Sequence, residues 1–168
     1  MTSTSKMTNK KLIKTTGTIL VNKKAERVFD FFANPSNDNL WRTEINTSTL
    51  NGEFQLGVTI SEYSYLSKKV PNNLIELTCV QFEKNKLAIF ETHDNAQFHI
   101  RSQRQVKTIS ENITEITYTL DFDIGLVKHA LGFALPKFIV SLKADSDIKK
   151  YLQQLKTKLE NDWQKPSH

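Results

Sequence analysis

In the run FHIRSQRQV, residues 98–106, a guanidinium stands where an extended strand would carry an apolar side chain. Alternation places Phe98, Ile100, Ser102, Arg104 and Val106 on one side, so Arg104 is aimed with the apolar residues. In TEITYTLDFDI the same reasoning groups Tyr118 with Ile116, Leu120 and Phe122. An arginine and a phenol in an apolar setting can orient a carboxylate or carbonyl of an otherwise greasy ligand. With a nearby glutamate they could instead polarise a carbonyl or move a proton. A guanidinium removed from water without a partner is costly. Three settings meet that cost: a ligand, a carboxylate such as Glu91 or Glu76, or a place near the sheet edge where the arginine stem snorkels to water. A bulge would reverse the parity altogether. Tyr63 and Tyr65 share a side of their own strand, and that side is either cavity or outer face.

Other chemistries find little support. His93, His99, His129 and His168 lack hairpin- or helix-spaced partners, and one cysteine cannot complete a metal set. There is no glycine-rich phosphate loop, serine elbow or paired-carboxylate motif. Cys79 lies in an apolar run, which predicts a buried, unreactive thiol and fits a reducing, cytoplasmic setting. No metal and no cofactor are expected.

The elements that must hold these residues follow from periodicity. LIKTTGTILV, residues 12–21, reads as a strand. Asn22 is placed to cap a helix in which Val28, Phe31 and Phe32 share a face, and Asn34-Pro35 ends it. SNDNLW predicts a short second helix returning Leu40 and Trp41 to the core. Six strands with turns between them follow up to residue 123, the last with the cleanest alternation in the chain. Leu131, Leu135, Phe138, Leu142, Leu152, Leu155 and Leu159 then recur every three or four residues. Pro136 divides that stretch into a short helix and a long one that carries the proline in its first turn and ends near Trp163. The long helix is the one element able to cover the apolar face of a sheet.

At 168 residues the chain is expected to form one domain, residues 11–163, between a basic tail, 1–10, and a short polar end, 164–168. The formal charge of +5 is local: residues 1–24 hold six of the 23 basic side chains and no acid, leaving 17 basic against 18 acidic beyond them. That distribution argues against a nucleic-acid face. No apolar run reaches the roughly 20 residues of a membrane-spanning helix. The expectation is no nucleic acid, no integral membrane association, and a monomer or homodimer.

The chain resembles the START-like (SRPBCC) superfamily, and within it the polyketide cyclase/dehydrase-type bacterial proteins. The likeness is distributed over about residues 12–162. It rests on NKKAERVFDFFANPSNDNLW, Gly57 opening a strand, the charged turn FEKNKL, NITEITYTLDFDI and the closing LQQLKTKLE. Ile113-Thr114 stands where a Gly-Thr is common, and the glycine-rich loop of the pollen-allergen branch is missing. The resemblance implies an α+β helix-grip fold: a curved antiparallel sheet of six to seven strands around a long C-terminal helix, with two short helices after the first strand. It also implies a cavity between sheet and helix that binds a hydrophobic small molecule, a lipid, polyketide or isoprenoid-like compound. A cyclase/dehydratase-type enzyme or a protein-interaction module are the alternatives. Candidate cavity residues are Phe32, Trp41, Phe98, Ile100, Ser102, Arg104, Tyr118, Leu120, Phe122, Phe138 and Leu142.

Overall fold

The computed structural model describes residues 11–162. The two expected tails, and Trp163 at the expected helix end, lie outside the described residues. Strand β1 (Leu12–Val21) leads to helix α1 (Ala25–Phe32) and a 3-10 turn (Pro35–Leu40). Six strands follow without an intervening helix: β2 (Ile45–Leu50), β3 (Thr59–Ser64), β4 (Asn73–Glu83), β5 (Leu87–Glu91), β6 (Ile100–Ser110) and β7 (Ile113–Asp123). Helix α2 (Gly125–Leu131) and the long α3 (Lys137–Thr157), prolonged by a π-helical turn over Lys158–Asp162, complete the chain.

The seven strands form one antiparallel sheet in the order β1-β7-β6-β5-β4-β3-β2. Each strand from β2 onward pairs with its sequence neighbour, and β1 closes against β7. The sheet curls into a half-barrel whose concave face receives α3, which lies chiefly over β1. Gly17 of β1 makes that approach possible. A Cβ there would stand 2.7 Å from Leu152 Cδ1 and 3.4 Å from Ile148 Cγ2. Val140, Ile148, Leu152, Leu155 and Leu159 form the buried stripe of the helix.

Helix α1 closes one end of the half-barrel. Val28, Phe29, Phe31 and Phe32 are all buried. Phe29 packs on Phe54 at 5.8 Å between ring centroids, and Phe54 meets Phe82 at 5.0 Å and Phe90 at 6.2 Å. Aromatic contacts of this kind carry much of a core's cohesion. The expected cap differs. Lys24, not Asn22, occupies the N-cap position and makes no side-chain cap bond, while the Asn22 amide donates to Glu160 Oε1 at 2.8 Å. Asn34 instead caps the 3-10 turn, accepting from the Ser36 amide at 3.0 Å. Trp41 returns to the core as expected, but Leu40 remains 49% exposed.

Two candidate cavity residues face away from the concave side. Phe138 is 66% and Leu142 68% exposed. Each sits two residues from Val140, which at 3.6 residues per turn places it about 200° round the helix from that buried side chain. Leucine spacing alone does not reveal this, because Leu152, Leu155 and Leu159 further along do lie on the inner face.

Replacing Gly17 with valine tests the close approach of strand and helix. Overpacking against Leu152 is expected to cost about 1–3 kcal/mol, more than the roughly 0.5–1 kcal/mol that a side chain recovers over glycine. Urea unfolding measures it, and an unchanged midpoint would remove Gly17 as the determinant of helix docking.

Candidate functional site

Arg104 points inward from β6, as alternation predicts. The register shift in the β6–β7 ladder falls between Thr108 and Ser110, beyond it, so the parity holds along the inner segment. Its side chain is 1% exposed, and its partner is neither Glu91 nor Glu76 but Asp38 in the 3-10 turn, which is fully buried. The guanidinium forks onto the carboxylate, Nη1 to Oδ1 and Nη2 to Oδ2, both at 2.6 Å. It also donates to the Phe32 carbonyl at 3.0 Å and to Ser102 Oγ at 3.2 Å. Phe90, Tyr118 and Trp41 surround it, with ring centroids 5.4, 5.7 and 6.0 Å from the guanidinium carbon. Bidentate geometry and aromatic faces suit a guanidinium far better than an ammonium.

A second arginine extends the network. Arg42 Nη1 donates to Asp38 Oδ2 at 3.1 Å and to Glu62 Oε2 at 3.3 Å, and Arg42 Nη2 lies 2.8 Å from Glu44 Oε1. The carboxylates respond differently. Burial would raise Glu44, but Arg42 and the neighbouring Tyr151 outweigh it, so its carboxyl lies below the ordinary value. Burial dominates at Glu62 and pushes it up despite Arg42, with Asp38 adding to the effect. Burial likewise raises the phenols of Tyr118 and Tyr151.

This network forms the inner end of a cavity of about 260 Å³ between the sheet and α3. Arg42, Glu62, Ser64, Ser102, Arg104 and Tyr118 line the deep end, where all are buried. Leu66, Ile75, Leu120, Phe122 and Leu126 are less buried lining residues, with Glu44 and Tyr65 beside them. Helix α3 contributes Ala144, Asp147, Ile148 and Tyr151 as the roof. A separate cleft of about 470 Å³ lies outside, between the 3-10 turn and α3, but most of its lining side chains are exposed. Among the described residues no group of His, Cys, Asp and Glu is placed to hold a metal ion. Among them, too, no helix is long and apolar enough to cross a membrane.

The same architecture occurs in solved structures. A START superfamily protein from Mycobacterium smegmatis superposes with a TM-score of 0.68 at 11% identity, covering 87% of this chain and 96% of that one. The Zhui aromatase/cyclase from Streptomyces sp. R1128 matches with a TM-score of 0.60 at 11% identity over 90% and 98% of the two chains. This fold is START-like. The di-domain aromatase/cyclase BexL of the BE-7585A biosynthetic pathway matches with a TM-score of 0.63 at 11% identity, over 90% of this chain and 51% of the larger protein. No family model and no curated protein matches the sequence.

Within this START-like frame, Ile100, Ser102, Arg104, Tyr118, Leu120 and Phe122 line the cavity. Five candidates do not. Phe32 packs behind the wall, 5.8 Å from Trp41 and 6.0 Å from Tyr118 between centroids. Trp41 is 5.6 Å from Tyr118 and borders the outer cleft instead. Phe98 precedes β6, so strand parity does not govern it, and its ring lies 5.4 Å from that of His129 in α2. Phe138 and Leu142 are exposed for the reason given above. Tyr65 does reach the cavity. Sequence reasoning missed Glu62 and Ser64, although in VTISEYS they share the parity of Val58 and Ile60. Asp38, Arg42 and Glu44 carried no such signal, since they lie in the 3-10 turn and the loop after it.

Asp38→Asn is expected to destabilise the protein by about 3–5 kcal/mol, because it leaves Arg104 buried beside a neutral amide. Adding Arg104→Met should recover part of that loss, so the double variant costs less than the two single variants summed. Additive effects in chemical denaturation would contradict a coupled pair. Glu62 supplies a pH test. Its folded value exceeds the ordinary 4.5, so the folded state holds its proton more tightly and loses stability as pH rises through the folded value. The stability difference between Glu62→Gln and the parent should therefore shift toward the variant as pH increases from about 4.5. A difference independent of pH would show that Glu62 is not raised.

Proposed function

We propose that this protein binds a hydrophobic small molecule of lipid, polyketide or isoprenoid type in the cavity between the sheet and α3. One observation carries the reading: a space of about 260 Å³ remains beneath the long helix, lined by apolar side chains together with a few buried polar groups. Ligand sites commonly combine such walls with a few convergent polar groups. The structural neighbours include the aromatase/cyclases Zhui and BexL, and the chain shares their architecture. The buried thiol of Cys79, donating to the Gln81 carbonyl at 3.4 Å, supports a reducing, cytoplasmic setting.

A second reading, catalysis of a cyclisation or dehydration, is favoured by the position of Glu62. Its carboxyl, pushed up by burial, lines the same deep end as Tyr118 and could serve as a proton donor. Binding comes first in either case, because a reaction there requires the same occupied space.

The uncharged fluorophore N-phenyl-1-naphthylamine provides the test. Its emission is expected to rise on mixing with the protein. Ala144→Phe, which projects a ring from the roof into the cavity, should weaken that binding at least about tenfold, or about 1.4 kcal/mol. Unfolding of the variant in urea should remain close to that of the parent. No uptake by the parent, or equal uptake by a folded Ala144→Phe variant, would overturn the cavity as the site.

A further inference from the structure

The deep end of the cavity is built on two guanidiniums and three carboxylates. Arg104 is engaged by both oxygens of Asp38. Arg42 is shared among Asp38, Glu62 and Glu44. With every carboxyl ionised the cluster holds one more negative than positive charge, and with Glu62 protonated it is balanced. In neither state is a guanidinium left over for an anionic ligand. The remaining charged group on the lining is another acid, Asp147 of α3, held by Lys143 on the same helix.

The cavity nevertheless offers polar atoms. Ser64 and Tyr118 are more than nine-tenths buried and line it; among the described residues Ser64 Oγ has no hydrogen-bond partner, while Tyr118 Oη has the Ser102 hydroxyl beside it. A buried hydroxyl without a partner is expensive, and a ligand's polar end that satisfies it gains the difference. Hydroxyls can donate or accept, so they serve an alcohol, a ketone or an amine. A carboxylate or phosphate would meet the same hydroxyls but would also face Glu62 and Glu44 at low dielectric without a free cation.

Resting on the binding reading above, we infer that the cavity selects amphipathic molecules whose polar end is uncharged or a protonated amine, and excludes those ending in a carboxylate or phosphate. The presence of Arg104 in the cavity wall therefore does not signal an acid-binding pocket. Its charge is spent on the fold.

Three ten-carbon probes that differ only at the polar end test this: 1-decanol, decylamine and decanoate, each displacing N-phenyl-1-naphthylamine from the full chain at pH 7. Decanol and decylamine are expected to displace it at concentrations at least about tenfold lower than decanoate. Glu62→Gln, which removes a carboxyl that an incoming carboxylate would repel or force to hold its proton, while keeping the shape, should narrow the gap between decanol and decanoate at least about threefold. Asp147→Asn, at the half-buried roof, should narrow it in the same direction and guards against misfolding of the first variant. Decanoate binding as tightly as decanol, or a gap unchanged in both folded variants, would overturn the inference while leaving the binding reading intact. Uptake of the fluorophore with displacement by none of the three would overturn the inference as well. Absence of fluorophore uptake would remove the binding reading itself.

Discussion

The buried pair between Arg104 and Asp38 ties together elements that the chain presents far apart. Arg104 belongs to β6, Asp38 to the 3-10 turn, and the Phe32 carbonyl that shares the guanidinium ends α1. Arg42 continues the connection to Glu44 ahead of β2 and to Glu62 in β3. Desolvating two charges is unfavourable, and only a well-formed fork with every remaining donor engaged offsets it. The short bonds to Asp38 and the flanking aromatic faces meet that demand. The pair is better understood as a constraint than as a large source of stability: once Arg104 faces inward, the helical end must close so that Asp38 reaches it.

That closure explains the aromatic density of the segment between Ala25 and Trp41. Phe32 and Trp41 pack with Tyr118 into a wall around the guanidinium rather than into the cavity. Phe29 meanwhile joins the cluster of Phe54, Phe82 and Phe90. The wall excludes water from the ion pair, and low local polarity strengthens a satisfied network while penalising any unsatisfied member. The same condition extends to the cavity beside it. A guest reaching the deep end meets groups whose charges are already matched to one another, so recognition there depends on hydrogen bonding and on avoiding further negative charge.

Much of the architecture was legible in the order of the elements. Strand β7 shows why: Ile116 and Tyr118 face the core while Glu115 and Thr117 face outward, and a half-buried antiparallel strand permits no other phase. The inward aim of Arg104 followed from the same rule. Parity failed for Phe98, which precedes the strand it was assigned to. Helical spacing failed for Phe138 and Leu142, because a run of apolar residues every three or four positions fits two adjacent stripes equally well until one is docked.

By itself, then, the sequence determined the strand and helix succession, the inner and outer faces of β7 and of the Arg104 segment of β6, and the need for a long helix to cover the sheet. Those depend on local periodicity, which each segment carries in its own residues. Only the tertiary structure decided that Asp38 neutralises Arg104, that Arg42, Glu44 and Glu62 converge beside it, and that space remains under α3. Such facts depend on the closure of loops and the register of distant strands. A polar turn such as SNDNLW carries no repeating pattern to mark which of its side chains will be buried, so an aspartate within it is indistinguishable from its solvent-facing neighbours until the chain folds over it.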